Sequence, residues 1–293
     1  MGVRRGVVLA VLLALLALPA ATGSAGVLCA GAVATIVGTP GPDTIDGTDG
    51  PDVIQGLGGN DLIYGNHGGD FICGGDGDDT IIGDEGWDFL YGDAGNDTLL
   101  GAEDRNTLHG GVGNDVLEPG TGAPGMVFGE EGNDLIRLAR VEPGDEHIVY
   151  GGPGQDTLDL RYVPLWGGSG GVRLLLYPEY DNLHRGNCPP PGWACSIALL
   201  DSGSVGSIEV VYGTQGSDYL QGDLNRNVLY GVGGRDYLRG GGARDRLVGG
   251  AGNDRLEGDD GDDQLRGGAG ADRADGGAGT DDCQAETKIA CEL

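Results

Sequence analysis

The sequence predicts an all-β fold, a solenoid in which short parallel strands stack into two sheets. A nine-residue unit that begins with glycine recurs through most of the chain. Nearly every unit places one Ile or Leu at the same position, which suits a core only one side chain thick. Glycine makes up 63 of the 293 residues and aromatic residues only 5%, so few large side chains are available for the thick core of a layered enzyme domain.

The acidic composition narrows the functional classes. Asp and Glu number 46 against 17 Lys and Arg, which gives a formal net charge of −29. A surface this acidic repels phosphate groups, so we expect no nucleic-acid partner. So much glycine is also found in disordered chains and in collagen. A nine-residue period disagrees with both, because disordered chains have no period and collagen has glycine at every third residue.

Residues 1–25 have the pattern of a secretory signal peptide. Arg4 and Arg5 precede an apolar stretch, residues 6–18, and small residues follow it. The stretch is shorter than the roughly 20 residues that a membrane-spanning helix needs, and no later stretch is long and apolar enough. We therefore expect no membrane span and a secreted, extracellular protein, either free or associated with a cell surface.

The nonapeptide units lie in two unbroken runs. Nine units run from Gly38 to Glu118 and eight from Gly213 to Gln284, and single units begin at Gly129 and Gly151, which makes 19 units. The predicted organisation after the signal peptide is an N-terminal cap at 26–37, a first repeat region at 38–159 that is regular to 118, an insertion at 160–212, a second repeat region at 213–284 and a C-terminal cap at 285–293.

Each position of the unit has a physical role. Glycine at positions 1, 2 and 4 permits tight turns with positive φ. Positions 7–9 predict a three-residue strand whose middle residue, Ile or Leu in 17 of the 19 units, faces inward. Two strands and two turns then form one coil of two units, and stacked coils give two parallel sheets with an aliphatic ladder between them.

Position 6 is Asp in 17 of the 19 units. In stacked coils these carboxylates lie about 4.8 Å apart, and each neighbouring pair repels by about 1 kcal/mol in water and about 3–4 kcal/mol at an effective dielectric constant of 20. A dication bound between the carboxylates turns this repulsion into a net attraction. Ca²⁺ prefers carboxylate and carbonyl oxygens. The predicted metal ligands are Asp43, Asp52, Asp61, Asp70, Asp79, Asp88, Asp97, Asp115, Asp134, Asp156, Asp218, Asp236, Asp245, Asp254, Asp263, Asp272 and Asp281.

Two units carry Asn at position 6, Asn106 and Asn227. An amide offers an oxygen but no charge, so we expect weak or absent ions at these two turns. In the last two units position 8 becomes Ala274 and then Cys283, which predicts that the aliphatic ladder tapers into the C-terminal cap.

The unit resembles the calcium-binding nonapeptide GGxGxDxUx of the RTX, or hemolysin-type, repeat family. Examples are GGDGDDTII from Gly74 and GGAGNDRLE from Gly249. The resemblance extends over nearly the whole chain after the signal peptide, apart from about 50 residues in the middle. It implies a parallel β-roll in which several Ca²⁺ ions are held in the turns by the position-6 Asp and by main-chain carbonyls.

The insertion contains β-like stretches at Val172–Tyr177 and Ile208–Tyr212 around a proline-rich loop. Six cysteines in an exported chain predict disulfides. Proximity in the sequence favours Cys188–Cys195 and Cys283–Cys291, which leaves Cys29–Cys73. A zinc site is the alternative, but the chain has no CxxC spacing.

The function predicted from these features is that of a secreted, non-enzymatic protein that folds on binding extracellular calcium. A cell-surface adhesion or matrix component, with calcium as stiffener and a protein or surface glycan as partner, is one alternative. A hydrolase with an unrecognised site is another, although an HExxH motif is absent and the four histidines lie far apart in the sequence: His67, His109, His147 and His184.

Overall fold

The computed structural model describes residues 27–120, 125–138, 148–163, 170–177, 194–200 and 208–291, of which 170–177 and 194–200 are described by their main chain. The predicted signal peptide lies outside these residues. Within them the regular structure is entirely β, which confirms the predicted fold class. The same ranges contain no helix that is long and apolar enough to cross a membrane.

Two long parallel sheets face each other along the described chain. The larger has fourteen strands, in spatial order Ile36–Val37, Val53–Gly58, Phe71–Asp76, Phe89–Ala94, Thr107–Val112, Met126–Glu131, Ile148–Tyr150, Ala194–Leu200, Gly170–Tyr177, Ser217–Gln221, Tyr237–Gly241, Arg255–Asp259, Arg273–Asp275 and Thr287–Ile289. The smaller has twelve, in spatial order Thr44–Asp46, Leu62–Tyr64, Thr80–Ile82, Thr98–Leu100, Val116–Glu118, Leu135–Arg137, Asp156–Asp159, Ile208–Tyr212, Val228–Gly233, Arg246–Ala251, Gln264–Ala269 and Asp282–Gln284.

The register of these sheets follows from the nine-residue unit. Successive units alternate between the two sheets, so within a run of units a strand residue pairs with the residue 18 positions later, as Ile45 does with Ile63 and Ile63 with Ile81. The position-8 side chains point between the sheets and are buried, with 0% exposure at Ile63, Ile81 and Leu99. This is the predicted ladder, and it forms a single continuous hydrophobic core along the solenoid.

Strand length departs from the prediction of three residues. Strands such as Thr44–Asp46 have three, but Val53–Gly58 and Phe71–Asp76 have six. The longer strands continue into the next turn because stacked turns also pair with each other, as Leu57 does with Gly75. The turn is thus part of the hydrogen-bonded stack and not only a connection.

The insertion continues both sheets. Ile208–Tyr212 pairs directly with Asp156–Asp159, so the smaller sheet passes from the first repeat region to the second. In the larger sheet the insertion contributes Gly170–Tyr177, which overlaps a predicted β-like stretch, and Ala194–Leu200, which was not predicted. Ala194–Leu200 lies between Ile148–Tyr150 and Gly170–Tyr177, so spatial order here reverses chain order.

Disulfides secure both ends of the solenoid. A short antiparallel pair, Leu28–Cys29 with Ala32–Val33, begins the described chain, and Cys29 bonds to Cys73 with a Cα–Cα distance of 5.6 Å. At the other end Cys283 bonds to Cys291, with a Cα–Cα distance of 5.8 Å. Both predicted pairings are confirmed, and the third, Cys188–Cys195, lies outside the described side chains.

Outward-facing aromatic rings stack between neighbouring strands of the larger sheet. Tyr91, His109 and Phe128 form one row, with ring centroids 4.8 and 4.6 Å apart, and Phe71 stacks on Phe89 at 4.7 Å. Such cross-strand pairs add modestly to sheet stability. The same 18-residue register that builds the core therefore also orders the outer face.

Candidate metal sites in the turns

The position-6 residues stack in two columns, because every turn lies over the turn two units earlier. One column leads into the smaller sheet and the other into the larger. Within a column the main-chain N–H of one aspartate donates to Oδ1 of the next. The N···Oδ1 distance is 2.7 Å from Asp61 to Asp79 and 2.7 Å from Asp79 to Asp97. The structure therefore brings the predicted residues together in rows.

All 17 predicted ligands lie in the described residues, and all but Asp43 are buried. In fourteen of them Oδ1 accepts an N–H from the preceding turn, whereas Oδ2 is buried and has no hydrogen-bond donor among the described residues. A buried polar atom without a partner costs about 1–3 kcal/mol, and more when it is charged. The fourteen are Asp61, Asp70, Asp79, Asp88, Asp97, Asp115, Asp134, Asp156, Asp236, Asp245, Asp254, Asp263, Asp272 and Asp281.

The glycine at position 1 leaves room for this oxygen. A Cβ added to Gly65 would lie 2.7 Å from Asp70 Oδ2 and 2.7 Å from the carbonyl oxygen of Gly83 in the next turn of the column. The prediction that position 1 needs a positive φ is wrong, since positive φ occurs at positions 2 and 4, as in Gly75 and Gly77. Position 1 is glycine because carboxylate and carbonyl oxygens converge there.

Asn106 shows which atoms surround the unpartnered oxygen. Its Oδ1 accepts the N–H of Asp88 at 2.9 Å, as in the aspartate turns. Its Nδ2 donates to the carbonyl oxygens of Gly101, Glu103 and Pro119 at 2.8, 2.7 and 3.2 Å. The opposite amide orientation would set oxygen against three oxygens, so the hydrogen-bond network fixes the orientation. A turn of this kind therefore presents main-chain oxygens to whatever stands at the position of Nδ2.

An aspartate at the same place sets a carboxylate oxygen among carbonyl oxygens. Burial raises the pKa of Asp97 to about 7 and that of Asp236 and Asp245 to about 8, because desolvation of the charged form outweighs the single N–H that Oδ1 accepts. A proton on Oδ2 or a cation beside it removes the conflict. Carboxylate and carbonyl oxygens are the ligands that Ca²⁺ prefers, so the residues present fit this ion.

The arrangement differs from a transition-metal site. Among the described residues no three His, Cys, Asp or Glu side chains converge on one point. An ion in these turns would take main-chain oxygens together with the carboxylates of a column. This all-oxygen set suits a hard cation such as Ca²⁺ better than zinc or copper.

Three predicted ligands have a different environment. In Asp43, Asp52 and Asp218, Oδ2 accepts hydrogen bonds from the threonine at position 2 of the same unit. Only these three units have threonine at position 2. That pattern was visible in the sequence, but its meaning depends on the turn conformation.

Two glutamates that sequence reasoning missed join the columns. Glu209 Oε2 accepts the N–H of Asp156 at 2.6 Å, and Glu286 Oε2 accepts the N–H of Asp272 at 2.8 Å. Glu209 reaches this place because the register shifts by one residue between Asp156 and Thr157, which makes Glu209 the bulged residue opposite. Neither glutamate lies in a nonapeptide unit, so the repeat pattern holds no signal for either.

Comparison with known proteins supports the same interpretation. The profile of the RTX calcium-binding nonapeptide repeat matches residues 37–72, 68–99, 91–124, 212–247 and 248–283, which together make up more than half of the chain. A search of curated proteins found no match. The matched stretches coincide with the two runs of units that build the columns.

Proposed function

The chain belongs to the RTX calcium-binding nonapeptide repeat family, and we propose on that premise that it is a secreted, non-enzymatic protein whose solenoid forms as its turns bind calcium. The observation that carries the proposal is the set of fourteen buried Oδ2 atoms without a hydrogen-bond donor among the described residues. Bound calcium supplies the positive charge that these oxygens lack. The position-6 aspartates and the neighbouring carbonyls bind it, and position-1 glycines keep the space open.

Folding and ion binding are coupled in this proposal. Without a cation each column holds carboxylates at the spacing of adjacent strands, where like charges repel by about 3–4 kcal/mol per pair at an effective dielectric constant of 20. The thin core has one aliphatic side chain per unit to oppose this repulsion. Because the ligands converge only in the folded stack, the free energy of binding becomes free energy of folding.

Secretion suits this coupling. Extracellular modules bind calcium with dissociation constants of about 10⁻⁴–10⁻³ M, so such sites stay empty in a calcium-poor cytosol and fill outside the cell. The disulfides Cys29–Cys73 and Cys283–Cys291 are typical of exported proteins. Detection of the chain in culture medium, with residues 1–25 removed, tests this part of the proposal.

A matched pair of neutral substitutions tests the calcium sites. Asp79 is buried with an unpartnered Oδ2, whereas its neighbour Asp78 is exposed and accepts hydrogen bonds from Asn96. Asp79→Asn and Asp78→Asn therefore make the same chemical change one residue apart. Calcium bound per chain is measured by equilibrium dialysis, and β-structure by far-ultraviolet circular dichroism during a calcium titration with magnesium as control.

We expect Asp79→Asn to bind fewer ions than the wild type, and Asp78→Asn to bind as many as the wild type. If the two variants bind equal amounts of calcium, the proposed ligands are wrong. A full β signal in chelator would show that the aliphatic ladder and the disulfides suffice for folding, and the coupling would then be refuted.

A further inference from the structure

The structure divides the turns into two kinds, and we propose that the turns that begin each run hold no calcium because a protein side chain already satisfies the position-6 residue. This inference rests on the proposed function. It concerns the units that begin at Gly38, Gly47, Gly213 and Gly222, which we call closed turns. The remaining units are called open turns.

The main chain separates the two kinds at position 2. In all 15 open turns the position-2 residue has a positive φ, for example +84° at Leu57 and +70° at Asp93. The four position-2 residues of the closed turns, Thr39, Thr48, Thr214 and Asp223, have no positive φ. The main-chain conformation of the closed turns directs the position-2 N–H at the position-6 side chain of the same unit, to which it donates a hydrogen bond. The open turns lack this hydrogen bond.

In three closed turns a threonine occupies the place that a cation would take. The N–H of Thr48 donates to Asp52 Oδ2 at 2.7 Å, and its hydroxyl lies 2.8 Å from the same oxygen and accepts the N–H of Gly50 at 3.2 Å. Thr214 makes the same bonds, with 2.7 Å from its main-chain N and 3.1 Å from its hydroxyl to Asp218 Oδ2. A carboxylate with two donors at one oxygen is already stabilised in its charged form.

In the fourth closed turn the carboxylate stands at position 2 instead of position 6. Here position 2 is Asp223, whose N–H donates to Asn227 Oδ1 at 2.9 Å and whose carboxylate accepts the N–H of Asn225 at 2.7 Å. The position-6 residue is a neutral amide. In every closed turn, one of the two residues at positions 2 and 6 is thus a carboxylate, and that carboxylate accepts hydrogen bonds from donors in its own turn.

The closed turns lie where each run of units begins. Each run has one closed turn in each column, so both columns start with a turn that needs no ion. Calcium-dependent turns then begin at Asp61 and Asp70 in the first run and at Asp236 and Asp245 in the second. We infer that each column has a metal-independent end, on which the metal-dependent turns stack.

Calcium counting in matched variants tests the inference on the full mature chain. Asp52→Asn alters a closed turn and Asp70→Asn the open turn stacked on it. Asp218→Asn and Asp236→Asn form the same pair in the second run. Calcium bound per chain is measured at saturating calcium by equilibrium dialysis, with circular dichroism as the check on folding.

We expect Asp70→Asn and Asp236→Asn to lose at least one ion each, and Asp52→Asn and Asp218→Asn to lose none. If all four variants lose calcium alike, the inference is overturned and the calcium function stands. If none loses calcium, the proposed function itself fails. Thr48→Gly keeps Asp52 but removes the hydroxyl and permits a positive φ, so we expect one additional ion, and an unchanged count would refute the role of Thr48.

Discussion

Asn106→Asp is the sharpest single test of how an open turn works. The amide Nδ2 of Asn106 donates to the carbonyl oxygens of Gly101, Glu103 and Pro119. Replacing the amide nitrogen by a carboxylate oxygen removes these bonds and adds another buried Oδ2 without a donor to the fourteen found among the described residues. Because Oδ1 remains, the hydrogen bond from the N–H of Asp88 is kept.

The structure sets the size of the effect at limiting calcium, the lowest concentration at which both the wild type and the variant fold. The amide has two protons, so about two net hydrogen bonds are lost, each of about 0.5–1.5 kcal/mol. The unpartnered oxygen adds about 1–3 kcal/mol. We expect Asn106→Asp to lower the free energy of unfolding by about 2–6 kcal/mol at limiting calcium, and by clearly less in saturating calcium, where an ion joins the new carboxylate to the same carbonyls.

The assay is denaturant unfolding at limiting and at saturating calcium, together with the count of bound ions. Asn114→Asp is the matched control, because Asn114 is exposed at position 5 and the substitution is chemically identical. A destabilisation by Asn106→Asp that is the same at both calcium concentrations would refute the idea that the carbonyls around Nδ2 outline a cation site.

Two further predictions concern the core and the pH dependence. Ile81 is 0% exposed in the ladder, so Ile81→Ala should lower the free energy of unfolding in calcium by about 2–5 kcal/mol. The neighbouring side chain of Ile82 faces outward, so Ile82→Ala should lower it by less than about 1 kcal/mol. Equal losses would contradict the assignment of Ile81 to the inward face. Burial raises the pKa of Asp79 to about 6, that of Asp97 to about 7 and that of Asp236 to about 8. The stability that a raised pKa contributes is lost as the pH rises through that pKa. In chelator, thermal stability should therefore be highest near pH 4 and fall as the pH rises through about 6–8. Melting curves that are flat or rise from pH 5 to pH 8 in chelator would show that these carboxyls are not protonated in the folded chain.

Much of the fold could be predicted because its determinants are local and repeated. One aliphatic residue per unit, as at Ile63 and Leu99, specifies the ladder, and strand alternation requires that it face inward. The buried acid at position 6 was predictable for the same reason. Strand length was not, because the pairing of Leu57 with Gly75 extends the ladder through the turn and depends on how turns stack.

The candidate sites were predictable only as far as residue identity. The sequence assigned one role to Asp52 and Asp70, but the conformation of position 2 gives Asp52 a threonine partner and leaves Asp70 Oδ2 with none. Glycine at position 1 was assigned to turn conformation, whereas the structure shows that Gly65 is required by the approach of two oxygens.

By itself the sequence determined the period, the parallel two-sheet solenoid, the aliphatic ladder and the acid that each turn buries, since every one of these follows from residue type repeated at a fixed spacing. Only the tertiary structure decided which carboxylate oxygens lack a donor, where Glu209 enters a column, and how the insertion joins the two runs. Those outcomes depend on contacts between distant residues, such as the bond between Asp156 and Glu209, which lie 53 positions apart. The nonapeptide pattern predicts no pairing at that separation.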